Sequence, residues 1–327
     1  MNPPNQKRVL VVGEFGTRNG GENSFLAIAS RLIEFGWEMH AAIPPASDFA
    51  TALEEIGIHI HPWMVHETDG SRKSQASVRS ELATAIKTIR PKILHFNSLS
   101  TSRIGGPVAR ELKVSSLGYL RDILKLSKKA VQDVNQVDRL ISVSKATRNW
   151  HVAQGIAAEK STVIYNGVDT DTFCPRPINP KFNSHQIRDE FSIPTDAEVL
   201  LFVGQIGMRK GVERLVNSFL DMAASRPILH LLIVGKRHST KQEAIDYENK
   251  ILASAHRSPF SNRIHWLGRR TDVPEIMRES TILVHPARQE PLGRVLLEAA
   301  STGLPIVTTR VGGSAEILNQ PFDHLLT

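Results

Sequence analysis

A single cysteine, Cys174, stands in 327 residues. One thiol cannot close a disulfide within the chain, so folding rests on apolar cores, and the composition fits a reducing compartment. No apolar stretch approaches the roughly 18 to 20 residues of a membrane span, and the run before Glu14 in MNPPNQKRVLVVGEFG is too short for a signal-peptide core with its cleavage site. The expectation is a soluble, cytoplasmic protein. Low-complexity tracts and internal repeats are absent. Neither HExxH nor CxxC occurs, so no metal site is expected. The segment GEFGTRNGG misses the GxGxxG spacing and no acidic residue ends the second expected strand, which argues against an NAD site.

What is present is a globular composition. Hydrophobic residues make up 41% and charged residues 22%, and the length allows two domains with a core each. A formal net charge of +7 suits nucleic acid, an anionic membrane or phosphorylated substrates. The basic residues are scattered and no nucleic-acid motif accompanies them, so no nucleic-acid partner is expected. The densest basic stretch, RDILKLSKK at 121–129, alternates Lys125, Lys128 and Lys129 with Ile123, Leu124 and Leu126. It fits peripheral contact with the inner membrane surface, near a lipid-linked acceptor, or a solvated loop or helix face.

Hydrophobic periodicity and Gly/Pro punctuation divide the chain into alternating strands and helices. Strands are expected at 8–13, 37–43, 58–61, 92–96, 115–120, 139–143 and 162–164, with helices at 22–35, 49–56, 76–89, 106–112 and 145–154. The pattern lapses between 165 and 196 into Asn, Gly, Asp, Pro and charged residues, as in a linker. A second alternation follows, with strands at 199–204, 229–234, 263–267, 281–285 and 306–308 and helices at 211–224 and 242–255. Such alternation implies doubly wound parallel sheets, an α/β fold. The expected division is an N-terminal domain over 1–170, a linker over 171–195 and a C-terminal domain over 196–327.

The stretch with the most chemistry is EPLGRVLLE at 290–298. Residues 292–302 read as a helix with Gly293 at its start, Gly303 past its end and Pro305 beyond. Val295, Leu296, Leu297, Ala299 and Ala300 make it apolar on nearly every side, so the carboxylate of Glu298 needs a partner. Glu290 lies just outside the N-terminus, where free backbone N–H groups and the helix dipole favour phosphate oxygens. A nucleoside diphosphate across this end fits, and so does a capped core helix with one Glu paired to a neighbouring Arg. GQIGMRKG at 204–211 is a second phosphate-suited loop, a strand-end glycine turn bearing Arg209 and Lys210.

Glu-x7-Glu followed by GLPIV and GGSAEI resembles the signature of glycosyltransferase family 4, the group 1 retaining enzymes of GT-B fold. GGENSFLAIASRL, VIYNGVDTDTF, LFVGQIGMRKG, LLIVGK and IHWLGRRTDVPEIM recur in the family's order, so the resemblance covers nearly the whole chain. It implies two Rossmann-like domains facing across a cleft, and a C-terminal domain lacking its usual final helices, since family members continue past PFDHLLT. It implies a metal-independent transferase that moves a hexose from a nucleoside diphosphate sugar to a saccharide or lipid-linked acceptor in surface polysaccharide or glycolipid synthesis, with no cofactor. Lys210, Arg209 and Glu290 take the catalytic roles. Lys210 matches the family's diphosphate-binding Lys, whereas Gln205 occupies the usual Arg position and Arg209 compensates from nearby. Glu298 binds the ribose, Gly204, Gln205, Leu292 and Gly293 line the donor, Gly268, Arg269 and Val273 read the base edge, and Gly20 and Gly21 belong to a loop over the diphosphate and sugar. Asn97, Arg121 and Asp122 are the acceptor-side residues, although many relatives carry a His-Asp-like pair where Arg121 and Asp122 stand. Asp169-Thr170-Asp171 matches the metal-holding Asp-x-Asp of GT-A enzymes but falls in a segment resembling the family's NGVD, so it is not expected to bind metal. Two other readings stay open: a nucleotide-sugar epimerase of the same architecture, and a truncated, weakly active donor-binding protein.

Overall fold

A computed structural model describes residues 7–175 and 186–318. The chain divides into two compact units, Met1–Asn166 and Gly167–Thr327.

The first unit alternates β1 (Arg8–Val12), α1 (Gly20–Glu34), β2 (Glu38–Ile43), α2 (Asp48–Glu54), β3 (His59–Pro62), α3 (Gln75–Ile89), β4 (Ile93–Phe96), α4 (Leu99–Leu112), β5 (Ser115–Leu120), α5 (Lys128–Val134), β6 (Arg139–Ser142), α6 (Lys145–Val152) and β7 (Ser161–Val163). Its seven strands lie in the order β3-β2-β1-β4-β5-β6-β7, and the pairings are parallel. Successive residues of β1 point to opposite faces. Val9 and Val11 pack with Phe25 of α1 and Phe49 of α2, while Leu10 and Val12 pack with Leu82 of α3 and Ile104 of α4.

The second unit begins with α7 (Gln186–Glu190) and continues through β8 (Glu198–Val203), α8 (Val212–Ala223), β9 (Leu229–Val234), α9 (Gln242–Arg257), β10 (Ile264–Gly268), α10 (Val273–Glu279), β11 (Ile282–His285), α11 (Arg294–Ser301), β12 (Ile306–Thr308) and α12 (Ser314–Ile317). Its five strands run β10-β9-β8-β11-β12, again in parallel. Both residue sets of β9 are buried: Leu232 and Val234 face one core, and Leu231 and Ile233 the other. In each sheet the strand order reverses beside the unit's first strand, between β1 and β4 and between β8 and β11. Such a reversal opens a crevice at the strands' carboxyl ends.

Several local expectations are corrected. The helix expected at 106–112 begins at Leu99, because Ser98 and Thr101 exchange hydrogen bonds with each other's amides (3.1 and 3.0 Å) as a capping box. Two glycines in its second turn admit close neighbours, the Phe96 ring beside Gly105 and the Asp133 carbonyl beside Gly106. Lys128 and Lys129 of the basic stretch open α5, and Lys129 pairs with the buried Asp133 at 3.0 Å. Within the stretch read as a linker, α7 forms, and Ile187 and Ile193 enter a core of the second unit. The rest of that stretch, 176–185, and the residues from 319 on which the unfinished-domain expectation falls, lie outside the described residues.

Candidate functional site

The carboxyl ends of β10, β9, β8 and β11 stand in a row at about 4.8 Å per strand, and each ends in or beside a residue of interest. Gly268 closes β10 and Gly204 follows β8, with Gly235 between them. The Gly235 amide donates to the Gly268 carbonyl at 2.7 Å, and the Gly204 amide to that of Val234 at 2.9 Å. Gln205 Nε2 lies 3.4 Å from His238 Nδ1, and the Lys236 stem runs past Gly268. The three expected base-edge residues, Gly268, Arg269 and Val273, thus follow one strand and open α10.

At the reversal between β8 and β11 the structure brings two predicted catalytic residues into contact. Lys210 ends a single 3-10 turn, Met208–Lys210, that precedes α8. Its Nζ donates to Glu290 Oε2 at 2.5 Å. His285, the last residue of β11, places Nε2 at 2.7 Å from the same oxygen. Glu290 and His285 are 5% and 1% exposed. Burial alone would raise the Glu290 carboxyl, but the Lys210 ammonium and the His285 hydrogen bond outweigh it and hold the group well below the usual carboxylate range. Burial lowers His285, and the charges of Lys210 and Arg209 add to that against the pull of Glu290, so the imidazole is neutral. Arg209 enters through its backbone: its carbonyl accepts the Arg288 amide at 2.8 Å. Arg288 in turn pairs with Glu213, which also accepts from the Tyr247 hydroxyl. The Lys210 turn and the segment before Glu290 are therefore tied together independently of the Lys210 side chain.

The Glu-bracketed helix differs from expectation in two respects. It begins at Arg294 rather than 292, with Gly293 as its N-cap at φ 96°, so Leu292 is a buried loop residue. Ala300 is exposed and Leu297 half-buried, so the helix presents one solvated side. Glu298 pairs with Arg294 one turn earlier, at 3.3 Å, the Glu–Arg contact that the capped-helix reading expected. Burial pushes its carboxyl up, with Arg294 acting in the opposite sense. Gly313, just before α12, donates its amide to the Glu290 carbonyl at 2.9 Å.

In the first unit, Gly20 and Gly21 form the first turn of α1 instead of a loop, with Asn19 as the N-cap and Glu22 accepting from the Asn19 amide at 3.1 Å. A Cβ on Gly21 would stand 3.3 Å from the Arg121 stem. Arg121 donates to the Asn97 carbonyl (3.1 Å) and to Asn97 Oδ1 (3.2 Å) while its guanidinium lies 4.0 Å from the Tyr119 ring centroid. His95 stacks on Tyr119 with ring centroids 5.1 Å apart, and burial, aided by the Arg121 charge, lowers its pKa to about 3. The Asp122 carbonyl accepts from His151 Nε2 at 2.7 Å. Gly21, Asn97 and Arg121 are thus one cluster beside the β1/β4 reversal. Asp169 binds the amides of Asp171 and Thr172 and the Thr172 hydroxyl, as the acceptor of a tight turn.

Two contributors escaped sequence reading. His285 was legible only as the end of a strand, although a polar residue closing an apolar strand five positions before Glu290 is a usable signal. Gly313 belonged to a recognised segment, but its contact with Glu290 spans a large sequence separation that no local pattern reports.

Comparison with known proteins agrees with this architecture. A family model described as Glycosyltransferase Family 4 matches residues 18–172, and one described as Glycosyl transferases group 1 matches residues 183–326. The lipopolysaccharide glucosyltransferase WaaG of Escherichia coli K12 is 36% identical over 138 residues, 42% of this chain and 34% of that protein. The lipopolysaccharide core biosynthesis mannosyltransferase LpsB of Rhizobium meliloti is 25% identical over 158 residues, 48% of this chain and 43% of that protein. The matches thus span less than half of either relative. The crystal structure of Anabaena Alr3699/HepE in complex with UDP and glucose superposes with a TM-score of 0.83 at 21% identity, covering 98% of this chain and 86% of that one; a likeness of this kind speaks to the fold, two Rossmann-like units of the GT-B class. With one family model on each unit, the chain belongs to the group 1 glycosyltransferases.

Proposed function

We propose that this chain is a retaining glycosyltransferase that moves a hexose from a nucleoside diphosphate sugar to an acceptor hydroxyl in glycolipid or surface polysaccharide synthesis. The observation that carries the reading is the Lys210–Glu290 pair, a half-buried ammonium on a buried carboxylate, at the strand-order reversal of the second sheet. An ammonium and an ionised carboxylate at such a crevice suit a ligand that carries phosphate beside hydroxyl groups. The names of WaaG and LpsB, a glucosyl- and a mannosyltransferase of lipopolysaccharide, support a hexose and a glycolipid acceptor.

In this reading the second unit holds the donor. Backbone groups of Gly268, Arg269 and Val273 meet the base, Glu298 the ribose, and Gly204, Gln205, Leu292 and Gly293 the diphosphate and sugar. Lys210 spends one donor on Glu290 and keeps two for phosphate. With Arg209 it offsets charge growing on the leaving diphosphate, which makes the reaction independent of metal. Glu290 orients sugar hydroxyls. The acceptor oxygen bonds to the anomeric carbon on the face from which the sugar–phosphate bond breaks, and its proton passes to the departing β-phosphate. The protein supplies position and charge.

Acceptor-side roles fall to Asn97, Arg121 and Asp122 of the first unit. Leu124 and Trp150 are 52% and 43% exposed, joined by a 2.9 Å hydrogen bond from the indole to the Leu124 carbonyl. Beside Lys125 and Lys128 they support peripheral contact with an anionic membrane surface. The epimerase reading draws no support from the comparisons, where WaaG and LpsB are both named as transferases.

The test is thermal stabilisation of the purified chain by UDP, GDP and ADP and their sugar derivatives, each with and without EDTA. A ligand of the native state raises apparent stability, and a shift with one nucleotide, unchanged by EDTA, is the expected result. A well-folded sample that responds to none of them removes the proposal.

A further inference from the structure

We infer that His285 is a positioning residue that selects which oxygen of Glu290 meets the donor sugar, an inference that rests on the donor site proposed above. Both hydrogen bonds to the Glu290 carboxylate end on Oε2, from Lys210 Nζ at 2.5 Å and from His285 Nε2 at 2.7 Å. Among the described residues no hydrogen bond reaches Oε1. An ionised carboxylate only accepts, so saturating one oxygen leaves the other as the acceptor offered to a ligand hydroxyl.

Lys210 alone would not fix that choice. An ammonium on a flexible stem is a point charge that follows the carboxylate as it turns. The imidazole cannot follow. Its ring lies against Phe202 with an interplanar angle of 11° and a centroid separation of 6.5 Å. Its backbone carbonyl accepts from Thr308 Oγ1 at 2.9 Å and from the Thr309 amide at 3.3 Å. Glu290 is anchored in turn by the Gly313 amide on its own carbonyl. With both backbones held, the second donor on Oε2 removes the rotation that Lys210 would tolerate.

The donor role also sets the tautomer. Because the carboxylate accepts, Nε2 carries the hydrogen and Nδ1 is a buried lone pair with no partner among the described residues. A side chain kept only for packing would leave no polar atom stranded there. The arrangement resembles the outer-shell hydrogen bonds that orient ligating groups in metal sites, transferred to a carboxylate that holds a sugar.

The test separates sugar recognition from folding and from nucleotide binding. Affinities of the full chain are measured for UDP and UDP-glucose, and for GDP and GDP-mannose, in wild type, His285→Phe, His285→Gln and His285→Asn. The Gln amide reaches the place of Nε2 and the Asn amide does not. The expected result is unchanged affinity for the nucleoside diphosphate in every variant, loss of the added affinity due to the sugar on the order of tenfold in Phe and Asn, and its retention in Gln. Should Phe fail to fold, the Gln and Asn pair answers the question alone. Equal sugar-nucleotide binding by Gln and Asn overturns the inference, as does a parallel fall for nucleotide and sugar nucleotide, which marks a merely structural role. Failure of wild type to bind any nucleotide overturns the donor site and this inference with it.

Discussion

The amide of Gly313 donates to the carbonyl of Glu290 at 2.9 Å, and a Cβ at Gly313 would stand 2.4 Å from the Pro291 carbonyl oxygen and 2.6 Å from the Leu292 Cα. Both obstacles are backbone, so a methyl group there has to move the loop that carries Glu290. Gly313→Ala is expected to destabilise by about 1–3 kcal/mol and to abolish sugar-nucleotide binding while the second unit stays folded. Circular dichroism with a thermal melt, beside a binding titration, checks both parts. Native-like binding by this variant would show that the loop has slack that the geometry denies it.

Lys210 and Glu290 form an ion pair with side chains 15% and 7% exposed. Removing one member of such a pair leaves a charge without its partner, at about 3–5 kcal/mol. Lys210→Met and Glu290→Gln should each lower stability by that order, and the double variant by less than the sum of the two. Turnover should fall on the order of 10²-fold or more in Lys210→Met, if transition-state charge rests on the ammonium. Full turnover in that variant would remove Lys210 from the mechanism.

Each unit holds a pair of neighbouring histidines that are hard to protonate. His230 Nδ1 lies 3.1 Å from His265 Nε2, with the rings stacked at 8°, and Phe191 packs edge-on against His265. His40 Nδ1 lies 3.0 Å from His61 Nε2. Burial, then the charge of His230, lowers His265 from 6.5 to about 4. Arg263 and Arg188 add to the burial that lowers His230. Between these values the unfolded chain binds a proton that the folded chain refuses. Stability is therefore full above about pH 6.5 and declines as pH falls toward 4. Melting temperature measured across that window should fall, and His265→Gln should flatten the slope by up to one proton's worth. An unchanged slope would rule out His265 as its source.

Arg121 holds Asn97 through two hydrogen bonds while covering Tyr119. Lysine cannot reproduce a planar fork that bonds and stacks at once. Arg121→Lys is expected to leave nucleotide-sugar affinity in place and to cut transfer on the order of 10²-fold through misplacement on the acceptor side. Separate measurements of donor binding and of transfer decide this, and a matching loss in both would refute the acceptor-side assignment.

The second of the two units was legible almost strand by strand. LHLLIV has no polar face apart from His230, and it became β9, buried throughout and pairing on both sides. Helix starts were less legible. The first two turns of α4, 99–105, were missed because Ser, Thr and Gly are weak helix formers there; the Ser98–Thr101 capping box starts the helix, and Gly105 and Gly106 are required by the Phe96 ring and the Asp133 carbonyl that lie beside them. Gly20 and Gly21 read as a loop, but the Asn19 cap and its Glu22 partner carry the helix through both.

Sequence by itself indicated all twelve strands and most of the helices between them, though not α5 or α7, and it singled out Lys210, Glu290 and Glu298, since periodicity and residue type are local properties. Only the tertiary structure decided their partners. Glu290 drew Lys210 from 80 residues earlier and His285 from the end of its own strand, whereas Glu298 took Arg294 on its own helix. Burial makes an uncompensated carboxylate costly, and which cation or donor relieves it depends on distances that exist only once the β8 and β11 strand ends lie side by side.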